Sequence, residues 1–298
     1  MIAFDALRRR ALAGASMLLA GCSPIAALNA VAPSGTHRRD ADLAYGSDPR
    51  HRLDLYRPLF ADAAPSDAAQ DRPLLLFLYG GSWNRGERAD YRFVGEALAS
   101  RGIAVAIADY RLYPQVRYPE FLRDSAAALA WLLREAPRLA LPTQRLFVMG
   151  HSAGGYNAAM LALDARWLQP HGLAPERLAG WIGLAGAYDF VPIRNPDVQP
   201  VFHHPDVPRD SQPIEYAARS RLPALLAAPE RDALIDPERN TGGLARALAA
   251  AGAPVQLRRY PRANHLTLAA AFSRPLRWIA PVLDDTVAFI ESTPRPPG

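Results

Sequence analysis

Short apolar runs separated by helix-length segments recur through this chain, and that rhythm constrains its fold more than any other feature. The run Leu74-Leu75-Leu76-Phe77-Leu78-Tyr79 lacks a charged residue, as a strand covered on both faces requires. Further strand-like runs fall at 103–108, 146–149, 181–184, 225–228 and 255–257, while Leu53-Asp54-Leu55-Tyr56 alternates like a half-exposed strand. Between them, 121–134 carries apolar residues at helical spacing, and 241–251 is an Ala/Leu-rich helix stopped by Gly252. The alternation predicts an α/β architecture: a mainly parallel sheet with helices on both faces. The proline-rich stretch 189–221 breaks the rhythm and reads as an insertion over the sheet edge, a lid or pocket wall. Residues 61–72 form a polar loop.

With 298 residues, half of them apolar, the chain can bury a large core. Its formal charge is +5, and every basic residue other than histidine is arginine. Without Arg8, Arg9, Arg10 and Asp5, 31 arginines face 28 acids. The arginines are spread along the sequence without the basic stripe that phosphate binding needs, so no nucleic-acid partner is expected.

Residues 1–21 combine a basic start, an apolar run over 11–20 and small residues before Cys22, the architecture of a secretory signal peptide. That run is too short to span a bilayer. Leu19-Ala20-Gly21-Cys22 resembles the bacterial lipobox, which implies cleavage before Cys22, lipidation of that cysteine and a membrane anchor through the N-terminal lipid. Ser23 in place of Asp then implies an exported lipoprotein of the outer membrane, facing the periplasm. Cys22 is the sole cysteine, so no intrachain disulfide is expected. Residues 22–40, rich in Ala, Pro, Ser and Arg, read as a flexible tether.

One motif carries chemistry. Gly150-His151-Ser152-Ala153-Gly154 is a GxSxG sequence set between a strand and a helix, where glycines permit a sharp turn with the serine at its tip. GxSxG alone also occurs as a plain turn. Its neighbours in the predicted fold add weight, because reactive groups on open α/β sheets gather beyond the carboxyl ends of strands. Tyr79-Gly80-Gly81-Ser82-Trp83 follows one strand and can direct backbone N–H groups into a cleft, joined by the N–H of Ala153. Ser152 needs a base, and His265, just after the strand near 255–260, is the best placed of seven histidines. His151 should point away from the serine hydroxyl. An acid to orient the imidazole is offered by Asp232, Asp236 or Asp189, each beyond a strand end. Asp236, before Pro237, also suits a helix start.

From about Asp54 to Ile290 the chain resembles the α/β-hydrolases of the carboxylesterase and hormone-sensitive-lipase-like group, which includes feruloyl and acetyl esterases, kynurenine formamidase and prenylcysteine methylesterase. The matching residues are Gly80-Gly81-Ser82-Trp83 with Gly86, Asp109-Tyr110-Arg111-Leu112 with Pro114, Gly150 to Gly155, Asp232 and His265. The resemblance implies an α/β-hydrolase fold with an eight-stranded sheet; the catalytic domain is expected over 41–293, and the residues of 294–298 read as a disordered tail. It implies Ser152 as nucleophile, Asp232 and His265 as its partners, an oxyanion hole from the N–H groups of Gly81, Ser82 and Ala153, no cofactor, and a small-molecule carboxylic ester as substrate. Tyr79 stands where the group usually has histidine. The same residues would serve an arylformamidase or amidase, and a non-catalytic binding protein on this fold is the rival from another class. His203-His204 with Asp206 offers imidazole and carboxylate ligands, but adjacent histidines diverge and no HExxH helix accompanies them, so no metal is expected.

Overall fold

In the computed structural model, which describes residues 24–59 and 71–296, the predicted strands and one further N-terminal edge strand assemble into one eight-stranded sheet. The elements in chain order are α1 (Pro24–Ala30), β1 (His37–Ala44), β2 (Arg52–Pro58), β3 (Pro73–Leu78), α2 (Arg92–Ala99), β4 (Ala104–Ala108), α3 (Glu120–Leu139), β5 (Arg145–His151) and α4 (Ala153–Leu163). β6 (Gly180–Leu184), β7 (Ala224–Pro229), α5 (Gly243–Ala250), β8 (Val255–Tyr260), α6 (His265–Ala270) and α7 (Val282–Ser292) complete the series. Spatial order is β1-β2-β4-β3-β5-β6-β7-β8, with β2 antiparallel to both neighbours and the run from β4 to β8 parallel. This is the α/β fold that the apolar runs predict. The interior strands β4 and β6 are buried at every position, because helices cover both faces.

The N-terminal region corrects the expectation of a tether over 22–40. α1 is latched to the domain by Asn29, whose side chain donates to the Ala89 carbonyl (2.7 Å) and accepts from the Phe93 N–H (3.2 Å). β1 adds an edge strand to β2, with a register shift between Asp40 and Leu43 where Asp42 takes φ 59°. Ion pairs hold it: Arg39 to the buried Asp54 (2.6 Å), Arg57 to Asp40, and Arg88 to Asp42 (2.7 Å). An edge strand built from His, Arg and Asp shields an open sheet edge from further pairing, and its charges remove the apolar alternation that would have announced it. The signal peptide, the lipobox and Cys22 lie outside the described residues, as does most of the loop 61–72. Among the described residues, no helix is long and apolar enough to cross a membrane.

Residues 294–296 have no regular structure, yet Arg295 pairs with Asp71 (2.6 Å) and Arg145 donates to the Thr293 carbonyl (2.9 Å), so this part of the expected tail is tied to the domain. Residues 297–298 lie outside the described residues.

The stretch 189–221 leaves the sheet between β6 and β7 and folds as 3₁₀ turns at Gln199–Phe202, Arg209–Ser211 and Pro213–Arg219. It packs over the carboxyl ends of interior strands instead of over a sheet edge. Its anchor is Phe202, fully buried, with ring centroids 4.9 Å from Trp83, 5.1 Å from Phe190 and 5.6 Å from Tyr156. Tyr156 on α4 donates its hydroxyl to the Ser211 carbonyl (2.8 Å) and ties the insertion to the core. Phe202→Ala should lower the unfolding free energy by about 3–5 kcal/mol, read as a shift in the urea midpoint, because it deletes a ring whose surroundings cannot all collapse inward.

Candidate active site

The parallel pairing of β3 with β5 sets Leu78 opposite Gly150, so the segments leaving both strands emerge side by side. At the end of β5 the chain turns through Ser152 at φ 56°, ψ −120°, a backbone conformation costing about 1–3 kcal/mol for a residue with a side chain. Two hydrogen bonds hold it there: the Ser152 N–H donates to Leu184 (2.8 Å), and its carbonyl accepts from Tyr156 (3.1 Å). Glycines make the turn passable. A Cβ at Gly150 would lie 2.0 Å from the Gly154 carbonyl oxygen, and a Cβ at Gly154 would lie 2.0 Å from that of Leu78.

His265 opens α6, beyond the end of β8. Asn264 caps that helix: its side chain accepts from the N–H groups of Leu266 (3.1 Å) and Thr267 (2.9 Å), and the Thr267 hydroxyl accepts from the Asn264 N–H (2.8 Å). The cap fixes the direction of the imidazole. Its Nε2 lies 2.8 Å from Ser152 Oγ and its Nδ1 lies 2.7 Å from Asp232 Oδ2. The other Asp232 oxygen accepts from the N–H groups of Leu234 (2.8 Å) and Ile235 (3.2 Å). Burial pushes the Asp232 carboxyl upward, but the hydrogen bond and charge of His265 and the two backbone donors outweigh it, and the group titrates below its ordinary range. Ionised Asp232 selects the Nδ1–H tautomer, which leaves the Nε2 lone pair facing the serine hydroxyl.

The other acids are occupied elsewhere. Asp189 pairs with Arg239 (2.8 Å), and Asp236 accepts from the N–H groups of Glu238 (2.9 Å) and Arg239 (3.0 Å) at a helical start. His151 points away from the hydroxyl, as expected, and has a contact that sequence reasoning missed. Its Nε2–H donates to the His265 carbonyl (2.9 Å), so it braces the backbone of His265. Burial, and secondarily the nearby charge of His265, push its pKa down to about 3.

Gly80, Gly81 and Ser82 pass beside the serine, where a Cβ on Gly80 would sit 2.8 Å from Ser152 Cβ. Among the described residues, no acceptor pairs with the backbone N–H of Gly81, Ser82 or Ala153. Gly81, Ser82 and Trp83 all have positive φ (133°, 52° and 56°). Trp83 anchors the loop by donating Nε1–H to Asn157 on α4 (3.0 Å). Tyr79 accepts a hydrogen bond on its hydroxyl from Arg50 (2.7 Å). The arrangement can deprotonate a serine hydroxyl as it attacks, and can receive negative charge on an adjacent oxygen.

A sequence profile of the prolyl oligopeptidase family matches residues 120–290, more than half of the chain. The chain belongs to the prolyl oligopeptidase family. A second profile, BD-FAE, matches residues 54–174, so the two overlap across α3, β5 and Ser152. Among named proteins similar to this member of the prolyl oligopeptidase family is esterase LipC of Mycobacterium tuberculosis, 29% identical over 77% of this chain and 59% of its own. Isoprenylcysteine alpha-carbonyl methylesterase of Arabidopsis thaliana is 30% identical over 49% of this chain and 34% of its own. The chain thus spans about a third to three-fifths of the length of these relatives. Esterase B from Lactobacillus rhamnosis, solved with a tributyrin phosphonate inhibitor, superposes with a TM-score of 0.70 at 19% identity, covering 96% of each chain. The fold is that of the α/β-hydrolases.

Among the described residues of this family member, no cluster of His, Cys, Asp or Glu could hold a metal ion, and His203 is engaged with the Tyr118 carbonyl (2.8 Å). His151 makes stability depend on pH. In the unfolded chain an ordinary histidine binds a proton below about pH 6.5, whereas the folded His151 stays neutral until about pH 3. Stability from this group is therefore complete above pH 6.5 and is lost as pH falls, with a slope approaching about 1.4 kcal/mol per pH unit. His151→Gln, which keeps a donor for the His265 carbonyl, should flatten the dependence of unfolding free energy between pH 6.5 and 4. An unchanged slope in the urea midpoints would count against it.

Proposed function

We propose that the chain is a carboxylic ester hydrolase acting through a Ser152-His265-Asp232 triad. The observation that carries this reading is the continuous hydrogen-bonded line from Ser152 through both imidazole nitrogens of His265 to Asp232, beside unpaired N–H groups. Ser152 Oγ attacks the ester carbonyl while His265 Nε2 takes its proton, and Asp232 stabilises the imidazolium. The tetrahedral oxyanion lies among the N–H groups of Gly81, Ser82 and Ala153. His265 then gives the proton to the leaving alcohol. In the second half, His265 takes a proton from the water that attacks the acyl carbon, then returns it to Ser152 Oγ as the C–O bond breaks and the acid leaves.

Similarity to proteins named esterase LipC and isoprenylcysteine alpha-carbonyl methylesterase supports an ester over an amide as substrate. Ser152→Ala should remove turnover of p-nitrophenyl butyrate by about 10⁴-fold or more, and Asp232→Asn should lower kcat on a comparable scale. Undiminished hydrolysis by purified Ser152→Ala would sink the assignment. Running p-nitrobutyranilide alongside separates esterase from amidase.

The chain further reads as an exported lipoprotein carried on the membrane by a lipid on Cys22. Support comes from Arg8-Arg9-Arg10, the apolar run over 11–20 and Leu19-Ala20-Gly21-Cys22. Ser23 favours the outer membrane, facing the periplasm. Cys22→Ala should release the protein from the membrane fraction of a bacterial host and abolish palmitate labelling; unchanged retention and labelling would refute the lipid anchor.

A further inference from the structure

We propose that Arg50 is a positioning residue for the oxyanion loop, clamping the Tyr79 hydroxyl to the Gly86 carbonyl so that the Gly81 and Ser82 N–H groups stay aimed at the reacting oxygen. The proposal rests on the esterase reading. Three consecutive residues of positive φ, two of them bearing side chains, form a loop that relaxes unless both flanks are held. One flank is Trp83, fixed by Asn157 and by the Tyr113 N–H, which donates to the Trp83 carbonyl (2.8 Å).

The other flank is Arg50. Its Nη2 donates to the Tyr79 hydroxyl (2.7 Å) and the Gly86 carbonyl (2.8 Å), residues that bracket the loop, and its Nε donates to the Tyr110 carbonyl (2.9 Å). Asp109, 3.8 Å away, balances the guanidinium charge. Tyr79 transmits the clamp because it cannot shift. Its fully buried ring is stacked on Tyr110 (4.8 Å between centroids), and its carbonyl accepts the Tyr110 hydroxyl (2.7 Å). Gly86, at φ 100°, lies against the same ring, where a Cβ would come within 3.0 Å of it. The tyrosine that replaces the expected histidine thus works as a pair with an arginine delivered by the turn between β1 and β2.

The test compares native protein, Arg50→Met, Arg50→Lys, Tyr79→Phe and the Arg50→Met/Tyr79→Phe double variant. Readouts are kcat and KM for p-nitrophenyl butyrate, and the inhibition constant of butylboronic acid, whose serine adduct places an oxygen in the oxyanion position. Arg50→Met should lower kcat by about 10- to 100-fold and weaken boronate inhibition by a similar factor, with KM changed less than about threefold. Tyr79→Phe, which keeps the ring packing, should do likewise and keeps the question open to test if Arg50→Met fails to fold. The double variant should be no worse than the poorer single variant, and Arg50→Lys should recover part of the loss. Native kcat and boronate inhibition in folded Arg50→Met or Tyr79→Phe would overturn the clamp. Additive losses in the double variant, or losses confined to KM, would overturn it equally. Inactive native protein, or hydrolysis that survives Ser152→Ala, would instead overturn the esterase reading beneath it.

Discussion

α4 meets the end of β3 with Gly154 so close to the Leu78 carbonyl that no Cβ fits, and the remaining geometry depends on this contact. No side chain fits between them, so the helix that follows Ser152 lies directly on the strand that precedes the oxyanion loop. Parallel pairing of β3 with β5 brings Leu78 level with Gly150, which sets the two chain exits at one height. A single-residue slip in that pairing would move every side chain of β3 to the opposite face. Burial of both faces forbids it, and the strained Ser152 is therefore held by core packing as well as by its two hydrogen bonds.

A network of charge holds the antiparallel end of the sheet. Asp54 is fully buried and accepts from Arg39 (2.6 Å), Arg88 (3.1 Å) and the Asp42 N–H (2.8 Å), while Arg88 also pairs with Asp109. A buried carboxylate is tolerable only when its oxygens are so occupied, and removing one partner costs more than the pair contributes. The network joins β1, β2 and the segment after β4 to the residues that end the oxyanion loop. Charge at this end and glycine contacts at β5 thus fix the two sides of the same cleft.

What the sequence disclosed follows from which forces leave a one-dimensional trace. β3 to β7 were legible because burial on both faces demands uninterrupted apolar runs, whereas β8, a part-exposed edge strand, shows only the short run 255–257. β1 was not, since His37-Arg38-Arg39-Asp40 is held by cross-strand ion pairs whose partners lie distant in the chain. Ser152 and His265 were legible from motif and order. Three aspartates follow strand ends; the sequence already suits Asp236 to a helical start, and folding adds that Asp189 is held by an arginine while Asp232 meets the imidazole. The contact of His151 with the His265 carbonyl links residues 114 apart and has no sequence signature.

Trp83 couples the chemistry to the part of the chain that shapes the space above it. Its backbone belongs to the strained oxyanion loop, its indole N–H is fixed to α4, and its ring meets Phe202 and Phe190 of the insertion. A change in how residues 189–221 pack therefore reaches Trp83, one residue from Ser82, whose N–H is proposed as an oxyanion donor. Insertion and oxyanion loop cannot vary independently, because the aromatic cluster is closely packed and an incompressible core transmits small displacements. On this scaffold, repacking residues 189–221 requires a compensating anchor for Trp83 if the backbone of the Gly81–Trp83 loop is to keep its conformation.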